Sequence, residues 1–301
     1  MIVEVILSSP RGFCAGVVRA IDVVDVCLER FGPPVYVKHQ IVHNPYVVSE
    51  LERKGAITVE TVEEIPPGSL VVFSAHGSPP EDFEKARERK LRVIDAVCPL
   101  VTRVHNEAIK YHREGKRVIL VGHRGHQEVR GTMGQVPMTL MNDTADSPPP
   151  DWDPATPVAV LTQTTLSVGD TAEAIAKLKN SFRDTLVRND ICYATTNRQE
   201  AVTQMAALVD LVLVIGAQNS SNCNRLREVA ESLGVPAHLI NGPEEIDLEW
   251  LVGKEKVGVT SGASTPEVLV EGVIQALAPE KVTMLGGVEE DVTFTLPREL
   301  R

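Results

Sequence analysis

Five short apolar runs each end in a polar or glycine-rich turn and lead into a helix-like segment. They read LVVFSAHGSPP, RVILVGHRGHQE, VAVLTQTTLS, LVLVIGAQNSSN and KVGVTSGASTPE. Short β-branched runs bounded by turns read as buried strands. The segments after them carry helix signals, such as Thr265-Pro266-Glu267, which places a proline near a first helical turn. Strand and helix in alternation predict right-handed βαβ units and mainly parallel sheets. The composition agrees: apolar residues make up 43% and aromatics only 4%, so the core is aliphatic. Aliphatic strands covered by helices on both faces are typical of parallel sheets. At 301 residues the chain is near the size, roughly 250–300 residues, where one core gives way to several lobes.

In open α/β sheets, ligands bind beyond the carboxyl ends of the strands. All five turns sit at such ends. They carry His76, His123, His126, Glu128, Thr162, Thr164, Ser220, Ser221, Asn222, Ser261 and Ser264. For any one turn, helix capping by Ser, Thr or Asn is an equally good account. Five turns of one type favour a common site for a polar, anionic ligand. No Gly-Lys-Ser/Thr phosphate loop is present, which argues against a nucleoside triphosphatase.

Cys14, Cys98 and Cys192 lie in polar, turn-rich contexts at wide, near-even intervals. This is not the close pairing of a zinc ribbon or a dithiol motif. It suggests three lobes that each deliver one thiolate to a shared centre with one coordination position left open. Spacing alone does not separate zinc from iron–sulfur. Cys27 falls within an apolar helical stripe and reads as a small core residue, and Cys223 as structural. His39, His105, His112 and His238 occupy ordinary strand, helix or surface contexts.

The cysteines set the expected boundaries: a first lobe over residues 1–97 that includes the N-terminal strand, a second over 98–191 and a third over 192–280. A C-terminal tail, 281–301, packs back on the body. Residues 142–157, with three consecutive prolines and four Asp, read as an exposed excursion. A net charge of −11 argues against generic binding to nucleic acid or anionic membrane. The N-terminus lacks a basic, apolar leader, and the run LVDLVLVIG is too short to span a bilayer. A soluble cytoplasmic protein is expected.

The stretches GFCAGV, VHNPYVV, SAHGSPP, CPLVTRVH, GHRGHQEVRGTMGQ, TQTTLS, DICYATTNRQ, NSSNCNRL and TSGASTPE together resemble one family. It is that of the 4-hydroxy-3-methylbut-2-enyl diphosphate reductases, the last enzymes of the methylerythritol phosphate route to isoprenoids. The resemblance implies a trefoil of three α/β lobes around a central cavity. It implies that Cys14, Cys98 and Cys192 hold a 4Fe–4S cluster whose fourth iron lacks a protein ligand; oxygen would convert such a cluster to a 3Fe–4S form. It assigns diphosphate binding to His43, His76, His126, Ser220, Ser221, Asn222 and Ser264. Glu128 matches the catalytic proton donor. Thr164 matches the residue that orients the substrate hydroxyl and relays the proton. Gln127 stands where some relatives have proline.

The implied reaction is reductive dehydroxylation of (E)-4-hydroxy-3-methylbut-2-enyl diphosphate to isopentenyl and dimethylallyl diphosphates. Ferredoxin or flavodoxin would supply the electrons, since the chain carries no flavin or nicotinamide fingerprint. Two other classes remain open on the residues alone. An iron–sulfur sensor would have no use for the His/Ser/Asn pocket. A zinc hydrolase would use the same turns without a redox centre.

Overall fold

The computed structural model describes residues 2–142 and 145–301. Met1 of the expected N-terminal strand, and Asp143 and Thr144 of the expected excursion, lie outside the described residues. Strand β1 (Glu4–Leu7) leads into α1 (Ala15–Phe31). Next come β2 (Val35–Lys38), α2 (Pro45–Arg53), β3 (Ala56–Val59), β4 (Leu70–Phe73), α3 (Pro80–Glu88) and β5 (Arg92–Asp95). They are followed by α4 (Pro99–Arg113), β6 (Arg117–Val121), α5 (Gln127–Met133), β7 (Met138–Met141), β8 (Val158–Thr162), α6 (Val168–Ser181) and β9 (Thr185–Val187). The chain closes with α7 (Tyr193–Ala206), β10 (Leu211–Ile215), α8 (Ser221–Ser232), β11 (Ala237–Ile240), β12 (Lys256–Ser261), α9 (Glu267–Leu277) and β13 (Lys281–Met284).

The strands form three sheets, ordered β3-β2-β4-β5, β7-β6-β8-β9 and β11-β10-β12-β1-β13. Every pairing among the described residues is parallel. The fold class is therefore the expected one, α/β with parallel sheets. The five apolar runs of the sequence are β4, β6, β8, β10 and β12, all interior strands. Their unbroken apolar character has a simple cause. On β6 and β8, Ile119, Val121, Val158 and Val160 pack with Ala174 and Leu178 of α6. The intervening Val118, Leu120, Ala159 and Leu161 pack with Val104, Ala108 and Tyr111 of α4. Both faces are covered, so alternation disappears. On β10, Leu211, Leu213 and Ile215 likewise pack with Val270 and Val273, and Val212 and Val214 with Met205 and Leu226. Each of the Val, Leu and Ile side chains contributes about 1.5–3 kcal/mol on burial.

The chain divides into two compact units. One holds the residues up to Ala15, His43–Val47 and Tyr193–Val292, and is built on the five-stranded sheet. The other holds Gly16–Val42, Val48–Cys192 and Thr293–Arg301, with both four-stranded sheets. The first four strands of the five-stranded sheet repeat the order of the other two, with β1 in the place of β5 and β9. The N-terminal strand, expected in the first lobe, thus pairs with β12 and β13. Its hydrogen-bond register makes it the fourth strand of the last sheet, although it is the first strand of the chain.

Residues 145–157 are irregular and largely exposed, as expected for an excursion. Trp152 anchors them, packing against the core under Arg117, whose guanidinium lies 4.5 Å from the indole centroid. No described helix is long and apolar enough to cross a membrane.

Candidate active site

Cys14, Cys98 and Cys192 are placed by one local device used three times. Each follows the fourth strand of its sheet (β1, β5 or β9) and directly precedes a helix (α1, α4 or α7). Each backbone N–H donates to the carbonyl of the second residue past the neighbouring strand. Cys14 donates to Ala263 at 3.2 Å, Cys98 to Ala75 at 3.0 Å and Cys192 to Thr164 at 3.1 Å. All three are half-exposed, whereas Cys27 and Cys223 are buried. Burial pushes both of those thiols up to about 11. The Cys223 sulfur also fills the space beside Gly216 and Gly262, where an added Cβ would come within 2.3 and 2.2 Å of it. The five cysteines thus fall into three half-buried at the starts of helices and two that serve packing. In the turn before Cys14, the Gly12 carbonyl accepts from the buried Arg198 guanidinium at 2.7 Å. Arg198 is held in turn by Glu290 at 2.9 Å.

Glu128 departs from its sequence context. The sequence places it in a polar turn. It instead lies in the first turn of α5 and is only 3% exposed. His126 caps that helix, its Nδ1 accepting from the Glu128 N–H at 3.2 Å. Thr164 lies in the turn after β8. Its N–H donates to Glu128 Oε1 at 2.7 Å, and its Oγ1 pairs with Oε2 at 2.8 Å. Burial raises the Glu128 carboxyl to about 7, and the negative charge of Asp190 adds to the rise. The two Thr164 hydrogen bonds oppose it without cancelling it. The result is a carboxyl able to hold a proton near neutrality. His76 follows β4, and its ring stands edge-on to that of His126 with centroids 6.2 Å apart. Helix α5 approaches the His76 turn so closely that a Cβ on Gly131 would lie 2.7 Å from the Gly77 carbonyl oxygen.

The other unit carries Cys14, His43, Ser220, Ser221, Asn222 and Ser264. Ser264 Oγ donates to the His43 carbonyl at 3.0 Å. Ser220 caps α8 by accepting from the Cys223 N–H at 3.4 Å. Ser221 and Asn222 open that helix, so their side chains stand at its N-terminal end. Asn222 is 5% exposed, yet neither its amide oxygen nor its nitrogen finds a partner. Buried amides are normally hydrogen-bonded, so this orphaned pair calls for a polar ligand. His43, His126 and Ser220 are each the fifth residue past β2, β6 and β10, the second strand in each sheet order. The polar residues are thus repeated by position although their types differ.

Some neighbours of these residues were missed in the sequence. Asp190, two residues before Cys192, is buried and raised to about 6 by that burial. Its Oδ2 accepts from the Thr162 N–H at 3.3 Å. Gln163 ties the β8 turn to the β6 turn: its Oε1 accepts from the His123 N–H at 2.9 Å, and its Nε2 donates to Thr165 at 2.8 Å. Asn219 stands 3.4 Å from His43 Nδ1. The only signal for these three was adjacency to motif residues in NDICY, TQTTLS and NSSN.

These features define a parallel α/β protein of three like-ordered sheets, with polar side chains beyond the carboxyl ends of the strands in each unit. More particularly, the chain belongs to the LytB protein family, whose sequence profile matches residues 5–278. It is 54% identical to 4-hydroxy-3-methylbut-2-enyl diphosphate reductase 1 of Rhodopseudomonas palustris, over 98% of each chain. It is 53% identical to 4-hydroxy-3-methylbut-2-enyl diphosphate reductase 2 of Bradyrhizobium diazoefficiens, over 99% of each. Among solved structures it is similar to the E-1-hydroxy-2-methyl-but-2-enyl-4-diphosphate reductase from Plasmodium falciparum. That match has a TM-score of 0.95 and 37% identity, covering 99% of this chain and 96% of that one.

Proposed function

We propose that this chain reduces (E)-4-hydroxy-3-methylbut-2-enyl diphosphate to isopentenyl and dimethylallyl diphosphates. Two electrons and two protons enter, the carbon–oxygen bond breaks, and water leaves. The observation that carries the mechanism is the buried Glu128 carboxyl paired with the Thr164 hydroxyl at 2.8 Å. Full-length similarity to reductases of this name supports the substrate.

Cys14, Cys98 and Cys192 would hold a 4Fe–4S cluster. Their half-exposed positions at three helix N-termini suit thiolate ligands. When bound, the cluster supplies electrons one at a time and a Lewis-acidic iron at the open position. The reductant would be a small cytoplasmic electron carrier, ferredoxin or flavodoxin.

The protein's own part is to anchor the substrate and deliver a proton. His43, His76, His126, Ser220, Ser221, Asn222 and Ser264 would hold the diphosphate, with Asn222 bringing an amide that otherwise lacks a partner. Protonated Glu128 would keep Oε1 on the Thr164 N–H and donate through Oε2 to Thr164 Oγ1. A hydroxyl both accepts and donates, so Thr164 can pass its own proton to the departing oxygen. The oxygen then leaves as water rather than as hydroxide, a poor leaving group. The allylic fragment takes the second proton at either of two carbons, which accounts for two products.

One experiment tests the proposal as a whole. Anaerobically purified protein should contain iron and acid-labile sulfide, show a paramagnetic signal on one-electron reduction, and convert the substrate to both products. Zinc in place of iron, with hydrolysis of the substrate, would overturn it. A narrower test concerns Asn222→Ala. A hydrogen bond to a charged group is worth about 1.5–3 kcal/mol, so substrate and product affinity should fall roughly ten- to a hundredfold with iron content unchanged. Unchanged affinity in this variant would remove Asn222 from the diphosphate site.

A further inference from the structure

A cavity of about 350 Å³ lies between the turn after β4 and helix α4. It is lined by none of the residues assigned above to the reaction. Two of its lining residues carry buried polar atoms without a partner, Ser78 Oγ and His105 Nε2. Ser78 is 4% exposed. The His105 ring is packed against Gly77, where a Cβ would meet its Cε1 at 2.8 Å, so the imidazole is held in place. Burial lowers His105 to about 4, which keeps it neutral at physiological pH. Phe83 and Ile109 contribute apolar surface to the lining.

The charge inside is of one sign. Asp95 lines the cavity, and its Oδ1 accepts from the Val97 N–H at 2.9 Å. Burial raises its carboxyl to about 6, so it is ionised at pH 7.5. The buried Arg19 guanidinium is not part of the lining; it donates to the carbonyls of Ala96, Val97 and Thr295, and its charge opposes the rise of the Asp95 carboxyl without cancelling it. Glu84 and Arg87 are exposed and of opposite charge, so they cancel. A diphosphate would meet a carboxylate here with no buried cation among the lining residues. An ammonium group would complete the Asp95 carboxylate, hydroxyls would satisfy Ser78 and His105, and a short alkyl stem would cover Phe83 and Ile109.

We propose that this cavity is a binding site for a small amphiphilic amine of the amino-alcohol class, separate from the diphosphate site. The probes that test it share a four-carbon chain with a hydroxyl at one end and differ in the charge at the other: 4-aminobutan-1-ol, the neutral butane-1,4-diol and the anionic 4-hydroxybutanoate. Each is titrated into the anaerobic holoprotein carrying labelled Ile and Val methyl groups, and the Ile109 and Val97 signals are followed. The amine should shift both signals saturably and bind at least tenfold more tightly than the diol, while the anion causes no shift. Asp95→Asn should abolish the preference for amine over diol. Asn106→Trp, a change at an exposed position of α4 beside the cavity, should block all binding without disturbing the fold. The proposal is overturned if the anion binds as well as the amine, or if both variants bind the amine like the parent protein. Displacement of the amine by inorganic pyrophosphate would also overturn it, because the probe would then occupy the diphosphate site.

Discussion

Replacing Glu128 with Gln is expected to lower turnover by about 10²–10⁴, the usual scale for a positioned general acid. The substitution keeps the side chain's size and its acceptance from the Thr164 N–H, now at 2.7 Å. It removes only the carboxylic proton. Iron content and substrate affinity should therefore stay near those of the parent protein, and the loss should fall on kcat rather than KM. The parent enzyme should also lose kcat as pH rises through about 7, the value to which burial lifts this carboxyl. The sign follows from the role: the donor acts in its protonated form, so activity persists below that value and fades above it. The Gln variant should lack this limb. Thr164→Val should show a smaller loss, since water can partly replace a relay hydroxyl. Turnover of Glu128→Gln within a few-fold of the parent, at saturating substrate and reductant, would pass the proton donor's role to the His126 imidazolium or the substrate diphosphate.

Cys98→Ser should remove most of the iron and sulfide from anaerobically purified protein and bring activity below detection. The position makes this a clean test of ligation. Cys98 is the N-cap of α4, with Pro99 at the first helical position. Serine is among the best N-cap residues, so the helix should be kept or strengthened. Circular dichroism should show a folded protein while the metal is lost. Cys27→Ser supplies the contrast. Cys27 is fully buried in α1, with its thiol pushed up to about 11. That variant should keep its iron and lose only packing energy. Full iron and sulfide in Cys98→Ser would remove it from the ligand set.

Both variants touch residues whose importance was legible in the chain, yet for different reasons. Cys98 stood out by its turn-rich setting and its spacing from Cys14 and Cys192. Glu128 stood out only through the resemblance of GHRGHQE, because a lone Glu after a polar turn is usually a solvated side chain. Its burial comes from the turn after β8, some 36 residues further on, which closes over it with two hydrogen bonds from Thr164. No local pattern encodes such a contact. The same holds for Asp190, whose charge acts on Glu128 through space.

The α/β class, five of the interior strands and the polar turns that follow them could be read from the chain. These are local matters: β-branched runs, helix caps and glycine-rich turns act within a few residues, and β4, β6, β8, β10 and β12 fell where the apolar runs predicted. The sequence also separated Cys27 from Cys14, Cys98 and Cys192, since helical periodicity places it on the apolar stripe of α1. Strand partnership and burial emerge only on folding. The chain's first strand completes its last sheet, pairing Glu4 with Lys256 and Lys281 across some 250 residues or more. Backbone hydrogen bonds carry no record of which distant strand they will join, so chain order suggested the first lobe instead. The raised Glu128 carboxyl, the orphaned Asn222 amide and the cavity beside His105 have the same origin. Each depends on which surfaces withdraw from water when distant segments pack, and that free energy is set by the assembled fold rather than by any residue's neighbours in sequence.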